Sequence, residues 1–390
     1  MRRLLLLVAV LVFVDTMLYA ALTPLLPHLV HAKSRAGILV AAYAAGALIG
    51  GLPGGVAAVR LGARRAVLIG LTGMGLASLG FAFAGGFWAL FAARLLQGLG
   101  SGFTWAGAFA WLLAAAPANR RGELIGSAMG AAVFGALFGP VVGAAAALAG
   151  RGVVFAALAS LAVVLGAWTL RIAEVPEEEH PSTAAVVRAL RNRLFVAGLA
   201  LMSLASLLFG VLATLAPLHL ARAGWGAAAI GGLWLGGAAL ETAESPILGR
   251  ISDRYGNLLP VRTGLTASAL VAGGLALGLR PLVYAPLVVL AGMAFGSLFT
   301  PAFVLISEGA QRAGLAQGMA FGVMNAAWAL GAVVGPAAAG AIASATGDWI
   351  PYVLAAVACA LTLVAVRSQH ERAAVVVDRL AGDAAGVRRQ

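Results

Sequence analysis

Residues 55–65 read Gly55-Val-Ala-Ala-Val-Arg60-Leu-Gly62-Ala-Arg64-Arg65, and a related stretch, Gly249-Arg-Ile-Ser-Asp253-Arg254-Tyr-Gly256, follows later in the chain. Two glycines and an arginine coincide between the two stretches at a constant spacing of 194 residues. Each stretch comes directly after a long apolar run, and its glycines permit a tight turn into the next run. A turn that recurs in this way indicates that the chain consists of two related halves.

Two more pairs of matching segments extend the repeat in the same order along the chain. Gly100-Ser-Gly-Phe-Thr104 matches Gly296-Ser-Leu-Phe-Thr300, and Gly135-x-x-x-Gly139-Pro140 matches Gly331-x-x-x-Gly335-Pro336. Both pairs are 196 residues apart, so the spacing drifts by only two residues. Two parallel copies that enclose a binding site near the membrane midplane are typical of transporters.

The composition indicates that most of the exterior faces lipid. Hydrophobic residues form 62% of the 390 residues, charged residues form 10%, and the mean hydropathy is +0.99. A soluble domain usually has about 25% charged residues. A helix needs about 20 mainly apolar residues to cross a bilayer. Twelve runs of this kind occur, at 4–26, 36–59, 66–84, 88–116, 124–148, 152–170, 194–218, 226–249, 261–279, 284–306, 315–341 and 349–366.

We therefore predict an all-α membrane protein with twelve transmembrane helices in two pseudo-symmetric six-helix bundles. The first bundle is predicted at residues 1–171 and the second at 194–367. A cytoplasmic linker with an acidic cluster and two prolines joins them at 172–193, and a cytoplasmic tail follows at 368–390.

The basic residues decide the predicted orientation. Lysine and arginine number 26 against 14 acidic residues, which gives a formal net charge of +12. Twenty of them lie on the side of the N-terminus, five lie in the gaps on the other side, and Arg94 lies inside a span. Cytoplasmic loops carry such an excess, so we predict the inner (cytoplasmic) membrane with both termini cytoplasmic. The basic residues lie scattered in short gaps, which argues against nucleic-acid binding.

These segments resemble the major facilitator superfamily over nearly the whole chain. In that family the turn after the second helix reads Gly-x-x-x-Asp-Arg-x-Gly-x-Arg-Arg, and here Val59 occupies the aspartate position. The run from Arg94 to Gly100 is similar to the fourth-helix motif, and the run from Gly135 to Gly143 is similar to the fifth-helix motif of antiporters. The first helix resembles the twelve-helix drug:proton antiporter branch.

The resemblance implies conformational roles for the motif residues. They are Gly55, Arg60, Gly62, Arg64, Arg65, Gly98, Gly135, Gly139, Pro140, Gly143, Gly249, Asp253, Arg254 and Gly256. In the family the aspartate of the turn is thought to bond to a helix end in the opposite half. Asp253 can do so near Gly122 whereas Val59 cannot, so we expect a weakened latch between the second and eleventh helices. Simple topology remains an alternative for the arginines, as does helix packing for the fifth-helix glycines.

Asp15 and Arg94 are ionisable residues inside predicted spans, where an unpartnered arginine costs about 2.5–3.5 kcal/mol. A rise of about 1.5 Å per residue places Arg94 about 9 Å from one face and Asp15 about 16 Å from the other. Their levels then differ by only about 5 Å in a core of about 30 Å. We predict a buried pair in which Asp15 exchanges a proton and thereby couples protonation to conformation. A static pair that only locks the helices together is the alternative.

Glu241 and Glu244 form a second candidate proton site. They lie one turn apart in the eighth span, so their charges repel and one of them is expected to hold a proton near neutral pH. A structural role stays open for Glu241. Glu244 lies close enough to the end of the span to be a solvated partner of the turn motif.

Candidate substrate contacts follow from position. The resemblance implies that spans one, four, seven and ten line the cavity, with spans two, five, eight and eleven beside them. The candidates are Tyr19, Gln97, Trp105, Trp234, Asn325 and Trp328. Aromatic rings can stack on a planar or cationic compound, and helix packing is the alternative for each residue.

The resulting hypothesis is a secondary active transporter that exports a small hydrophobic or cationic compound in exchange for protons. The alternative is uptake of a small polar nutrient by proton symport or facilitated diffusion, against which the few polar residues at cavity depth argue. The sequence contains no metal-ligand or nucleophile spacing and no phosphate-binding loop, so we predict no enzymatic activity, no cofactor and no metal. The expected partners are a small-molecule substrate, protons and the lipid bilayer, and the expected state is a monomer.

Overall fold

The computed structural model describes residues 2–117, 120–173 and 183–366, except the side chains of residues 121, 122, 183, 253 and 318. Helices are the only regular secondary structure within these ranges. In chain order they are α1 (Arg2–Ala20), α2 (Leu22–Leu29), α3 (Lys33–Leu61), α4 (Ala63–Phe83), α5 (Phe87–Ala115), α6 (Arg121–Ala149), α7 (Arg151–Leu170), α8 (Thr183–Ala189), α9 (Arg193–Arg222), α10 (Ala227–Tyr255), α11 (Leu258–Ala276), α12 (Pro281–Gly296), α13 (Phe299–Arg312), α14 (Gln317–Thr346) and α15 (Trp349–Val366).

A proline interrupts two of the twelve predicted spans. The first span consists of α1 and α2, and the tenth consists of α12 and α13. Pro24 follows the last residue of α1, Ala20, by four positions, and Pro301 follows Ser297, at the end of α12, by the same distance. A proline cannot donate to the carbonyl four residues earlier, and its ring clashes with that carbonyl. Each helix therefore breaks one turn before its proline.

Ten of the predicted spans are long and apolar enough to cross a membrane. The other two, α5 and α10, have 29 residues each and therefore have the length. These two helices carry Arg94 with Gln97 and Glu241 with Glu244, and such polar residues lower their hydropathy. The predicted all-α membrane fold is thus confirmed, and its two least apolar spans carry candidate site residues.

The two halves are built in the same way. Most buried apolar side chains belong to two clusters, one from α1–α7 and one from α8–α15, with Leu218 joining the first. α1 packs on α6 as α9 packs on α14, and α3 packs on α5 as α10 packs on α12. A Cβ on Gly135 would overlap the carbonyl oxygen of Phe13, and one on Gly331 would overlap that of Ser203. These repeated contacts make the two six-helix bundles pseudo-symmetric.

The halves meet along two seams, α3 against α14 and α6 against α10. At the first seam Gly37 lies against the backbone of Pro336 and Gly340. At the second seam Gly231 lies against Pro140 and Ala144. Both contacts lie towards the end of the bundle that holds the start of α3 and the end of α14, which we name the closed end.

The opposite end of the bundle holds the start of α1, and none of the contacts between the halves described above lies there. A Cβ placed on any of four glycines there would meet no atom within 4 Å outside its own neighbourhood; these are Gly55, Gly126, Gly249 and Gly322. We name this side the open end.

The predicted linker and tail lie partly or wholly outside the described residues. Of the linker at 172–193, residues 174–182 are not described, whereas α8 packs Ala185 and Ala189 into the core of the second half. The tail at 368–390 lies outside the described residues. The division into bundles at 1–171 and 194–367 stays a prediction.

Candidate functional site

A buried carboxylate on α1 forms the centre of the candidate site. Asp15 is only 3% exposed. Its Oδ1 accepts a hydrogen bond from the Tyr43 hydroxyl at 2.9 Å. Its Oδ2 accepts from the Ser101 hydroxyl at 3.0 Å and from the Trp105 indole N–H at 2.6 Å. A buried charge is costly unless it is hydrogen-bonded, and α3 and α5 supply the donors that Asp15 needs.

The Arg94 guanidinium lies near this carboxylate but bonds to other groups. Its Nη1 donates to the carbonyl of Leu18 at 2.9 Å, and its Nη2 donates to the carbonyl of Tyr19 at 3.0 Å. Its Cζ lies 4.7 Å from the centroid of the Tyr43 ring. The ion pairs found among the described residues do not include Asp15 with Arg94.

The predicted direct pair between Asp15 and Arg94 is therefore wrong in its contact, although both residues are buried in one network. Tyr43 connects them, because its hydroxyl donates to Asp15 and its ring faces the guanidinium. Arg94 instead binds carbonyl oxygens of the first span close to the break at Ala20. That break frees backbone acceptors, which explains why the guanidinium is directed there.

One face of α5 carries most of the network. Arg94, Gln97, Ser101 and Trp105 follow one another at intervals of three or four residues, so they share a helix face. Gln97 is 0% exposed, accepts from Arg94 at 3.2 Å and donates to Ser78 of α4 at 3.0 Å. Gln97 therefore lies inside the first bundle and positions Arg94, and in this conformation no surface of its side chain is free for a ligand.

Sequence reasoning missed Tyr43 and Ser101. Ser101 lies one turn beyond Gln97, so the helical spacing that joins Arg94 to Trp105 was a signal for it. Tyr43 stands alone between Ala41-Ala42 and Ala44-Ala45. A hydroxyl-bearing ring in a run of alanines is the only signal the sequence offers for it.

Aromatic rings connect the network with the second half. Tyr19 packs against Tyr43 with ring centroids 5.5 Å apart, and its ring meets that of Trp328 on α14 edge to face at 5.2 Å. Asn325 lies one turn before Trp328 and is half-buried. Trp234 packs against the core of the second half. The structure thus brings Tyr19, Trp105 and Trp328 to the Asp15 network and leaves Trp234 apart from it.

The second candidate proton site lies on α10, in the other half. The Glu241 side chain occupies the space that a Cβ on Gly296 of α12 would need. Glu244 has a buried Oε2 with no hydrogen-bond partner among the described residues. Neither acid contributes to a metal site, since no group of three His, Cys, Asp or Glu in the described ranges could hold a metal ion.

Comparison with known proteins identifies the family of this chain. The sequence profile of the Major Facilitator Superfamily matches residues 4–321. The chain belongs to the Major Facilitator Superfamily. It is therefore a multi-pass membrane protein that transports small molecules.

A solved structure of the superfamily shares the fold. It is the crystal structure of a bacterial homolog of the human lysosomal transporter Spinster, in an inward-facing and unoccupied conformation. It matches with a TM-score of 0.72 and 14% sequence identity, covering 93% of this chain and 94% of that chain. A search of curated protein sequences found no match. The drug:proton antiporter branch within the superfamily stays a prediction.

The superfamily turn motif ends α3 and α10 in the same way. Gly62 and Gly256 have φ angles of 94° and 80°, in the left-handed region that favours glycine. The arginines Arg60, Arg65 and Arg254 are exposed and Arg64 is half-buried. Val59 is 47% exposed. The predicted bond from Asp253 to the region of Gly122 lies outside the described side chains, so the predicted latch stays a prediction.

The fifth-helix motif packs against the first span. Gly139 lies against Met17, as Gly135 lies against Phe13, and Gly143 lies against Ala21. Gly98 of the fourth-helix motif lies against the backbone of Tyr43. Small residues let helix backbones approach closely, so these glycines bring together the helices that carry Asp15, Tyr43 and Arg94. Pro140 faces the other way and contacts Gly231 across the seam.

Three charged residues join the halves at the closed end, and we name them the closed-end triad. Lys33 Nζ lies 2.6 Å from Asp348 Oδ1, and Arg222 Nη2 lies 2.6 Å from Asp348 Oδ2. Lys33 begins α3 in the first half, whereas Arg222 and Asp348 belong to the second half. Burial alone would raise the pKa of the Asp348 carboxyl, but Lys33 and Arg222 outweigh burial and hold the pKa below its usual range.

Proposed function

We propose that the protein is a proton-coupled exporter of a small hydrophobic or cationic compound, with Asp15 as its proton-binding group. The observation that carries the proposal is a carboxylate that is buried in a membrane span and held by three neutral donors. Ionisable groups inside the membrane are costly and commonly mark ion or proton pathways. The neutral donors suit a group that alternates between two charge states, because no fixed ion pair has to be broken.

The arrangement of the two halves supports alternating access as the mechanism. The halves are in contact at the closed end through the two seams and the closed-end triad, and we infer that the opposite end is the open one. With both termini in the cytoplasm, as the distribution of basic residues indicates, the open end faces the cytoplasm. Substrate then enters from the cytoplasm, and the halves must exchange their contacts to release it outside.

Aromatic residues support a hydrophobic or cationic substrate. Tyr19 and Trp328 meet between the halves beside the Asp15 network, with Asn325 one turn away. Aromatic faces bind apolar and cationic groups, and an ionised Asp15 attracts a cation. We assign substrate contact to Tyr19, Asn325 and Trp328, with Trp105 beside them on Asp15.

The runner-up function is uptake of a small polar nutrient with protons. The same buried carboxylate would serve it, since proton coupling by itself does not set the direction of transport. The few polar side chains around Tyr19 and Trp328 make this function the weaker fit.

A proteoliposome assay with an imposed pH gradient tests the proposal. Purified protein is supplied with a panel of lipophilic cations, and substrate flux and internal pH are followed together. We expect proton movement opposite to substrate movement, abolished in Asp15→Asn while substrate exchange without a gradient persists. Glu123→Gln is the control, because Glu123 is an exposed acid paired with Arg120.

Two outcomes of this assay contradict the proposal. Gradient-driven flux that survives in Asp15→Asn removes Asp15 as the proton-binding group. Proton movement in the same direction as a polar substrate, with no response to any cation, favours nutrient uptake. Glu241→Gln in the same assay tests the second acid, and a lower ratio of protons to substrate would assign it a proton.

A further inference from the structure

The two oxygens of Asp15 have chemically different partners. Oδ2 faces the Ser101 hydroxyl and the Trp105 indole, while Oδ1 faces the Tyr43 hydroxyl. A hydroxyl both donates and accepts, whereas an indole N–H only donates. Protonation of Oδ2 would weaken the short hydrogen bond that this oxygen accepts from the Trp105 N–H at 2.6 Å, because a protonated oxygen accepts less well than a carboxylate oxygen. A proton on Oδ1 meets a group that can accept it.

The Tyr43 hydroxyl also has a second acceptor within reach. It lies 3.2 Å from the main-chain oxygen of Asp15 as well as 2.9 Å from Oδ1. When Oδ1 carries a proton, that O–H donates to the Tyr43 oxygen, and the Tyr43 hydroxyl turns its own proton to the main-chain oxygen. No proton leaves Tyr43 in this exchange, and the proton on Oδ1 comes from water and returns to it.

The ring of Tyr43 connects this change to the rest of the protein. It lies under the Arg94 guanidinium and packs against Tyr19, which in turn contacts Trp328 of the second half. The titratable side chains that act on Asp15 are Tyr43 from α3 and Arg94 from α5. α6, which packs along α1, presents its motif glycines and the Ala132 carbonyl, which accepts from Thr16 at 2.7 Å.

We propose that Tyr43 is the positioning residue that senses the protonation of Asp15 at Oδ1 and transmits it through Tyr19 to Trp328 on α14. The inference rests on the proposed function, because it takes Asp15 as the proton-binding group. It adds the atom that takes the proton, the residue that responds, and the route to the second half.

Two matched variants separate this role from simple support of Asp15. Tyr43→Phe removes the hydroxyl and keeps the ring, so it cuts the link at Oδ1. Trp105→Phe also removes one donor from Asp15, but at Oδ2, and it keeps the Tyr43 hydroxyl, its bond to Oδ1 and the neighbouring Ser101 hydroxyl. Each variant thus removes one hydrogen bond to the same carboxylate, and only one of them lies on the proposed route.

The experiment measures protonation and its transmission on the same purified protein, without transport. The response to a pH step is monitored through the infrared carbonyl band of protonated carboxyl groups. The component of this band that is lost in Asp15→Asn is assigned to Asp15. In parallel, an environment-sensitive fluorophore attached at Gly322→Cys, an exposed position on α14, reports movement of the second half. The native thiol, Cys359, is buried and is replaced by alanine.

In the parent protein and in Trp105→Phe, we expect the infrared band and the α14 signal to titrate together. In Tyr43→Phe, we expect the band to persist and the α14 signal to be lost. An α14 signal that follows the band in Tyr43→Phe as it does in the parent overturns this inference alone. A carboxyl band from which Asp15→Asn removes no component overturns the proposed function together with this inference, since Glu241 and Glu244 account for any component that remains.

Discussion

The two halves of the molecule share their helix packing and differ in what they enclose. The repeated glycine contacts and motif spacings set the register, in which Asp15, Tyr43 and Arg94 correspond to Ala205, Gly237 and Leu290. The second half fills the equivalent space with rings. Phe209 stacks on Phe299 at 5.8 Å and meets Phe295 edge to face at 6.0 Å. One half thus holds a hydrogen-bonded polar network where the other holds an aromatic cluster.

This difference separates the requirements of the fold from those of the chemistry. The second half shows that the same bundle packs with apolar residues in these positions. Polar groups in a bilayer are costly, so packing alone does not account for a network of Asp15, Tyr43 and Arg94 in the first half. The comparison therefore supports the proposed proton chemistry at Asp15 in the first half, with the second half as the part that responds.

Removal of Arg94 tests how much the polar network contributes to the stability of the first half, and it has the largest expected effect. In Arg94→Leu, the carbonyls of Leu18 and Tyr19 lose charge-assisted donors that contribute about 1.5–3 kcal/mol each. Because burial of the guanidinium itself is costly, we expect a net loss of about 2–4 kcal/mol in the free energy of unfolding. Denaturant unfolding in detergent measures it.

The control for this prediction is Leu290→Met at the equivalent place. A volume-similar apolar exchange costs less than about 1.5 kcal/mol. Equal destabilisation by the two substitutions would show that the polar network adds no stability to the first half, and the contrast between the halves would then be functional only.

The two seams between the halves give a second, smaller test. A Cβ on Gly37 would overlap the backbone of Pro336, whereas one on Gly231 would come no closer than 3.0 Å to Pro140. Overpacking costs about 1–3 kcal/mol, so Gly37→Ala should open the closed end and Gly231→Ala should change it less. The distance between spin labels at Arg35→Cys and Thr346→Cys, across the α3–α14 seam, measures the effect. An equal response of both variants would mean that the seams are equally tight.

Most of the fold was predictable because each span can be recognised directly in the sequence. Length and apolarity mark a span, and the repeated glycines mark the halves. Even α5 and α10, which are less apolar than the others, were found because turns bound them. The breaks in the first and tenth spans were not predicted, although Pro24 and Pro301 cause them.

The site was predictable only in part. Asp15 and Arg94 stand out because ionisable residues inside a span are rare. Their levels were estimated from the helix rise, but rise says nothing about the rotation of each helix or about the carbonyls freed near Ala20. The direct pair was wrong for this reason. Tyr43 carries no charge, and its direction depends on how closely α3 approaches α5 at Gly98, a contact between distant parts of the chain.

The closed-end triad gives the last and smallest test of the comparison, because among the described side chains only the α3–α14 seam has such ion pairs. Gly150 and Gly347 cap equivalent helix ends, so Asp348 corresponds to Arg151. Arg151 donates to the carbonyls of Ala82 and Ala84 within the first half, whereas Asp348 binds Lys33 across the seam. Lys33→Gln should therefore loosen the closed end, and Arg222→Gln should loosen it less, because Arg222 binds Asp348 within one half. Partly exposed ion pairs contribute about 0.2–1 kcal/mol, so the population of the open form should rise only about two- to fivefold, as measured by the same spin labels.

The pH dependence of this latch has a definite sign. The pKa of Asp348 is held below its usual range by Lys33 and Arg222 against the opposing effect of burial. A carboxyl with a depressed pKa in the folded state stabilises the structure above the unfolded value of about 3.9 and loses this contribution as the pH falls through the lower, folded value. Between pH 8 and pH 5, roughly, the triad therefore stays charged and the spin-label distance at the closed end should show no titration from it. Any pH response of transport in that range then arises from other groups, either the buried acids or His219, which lies close to Arg222 and Asp348. A closed end that opens between those pH values in the double variant Asp15→Asn, His219→Gln would contradict this assignment, because the triad would then be titrating.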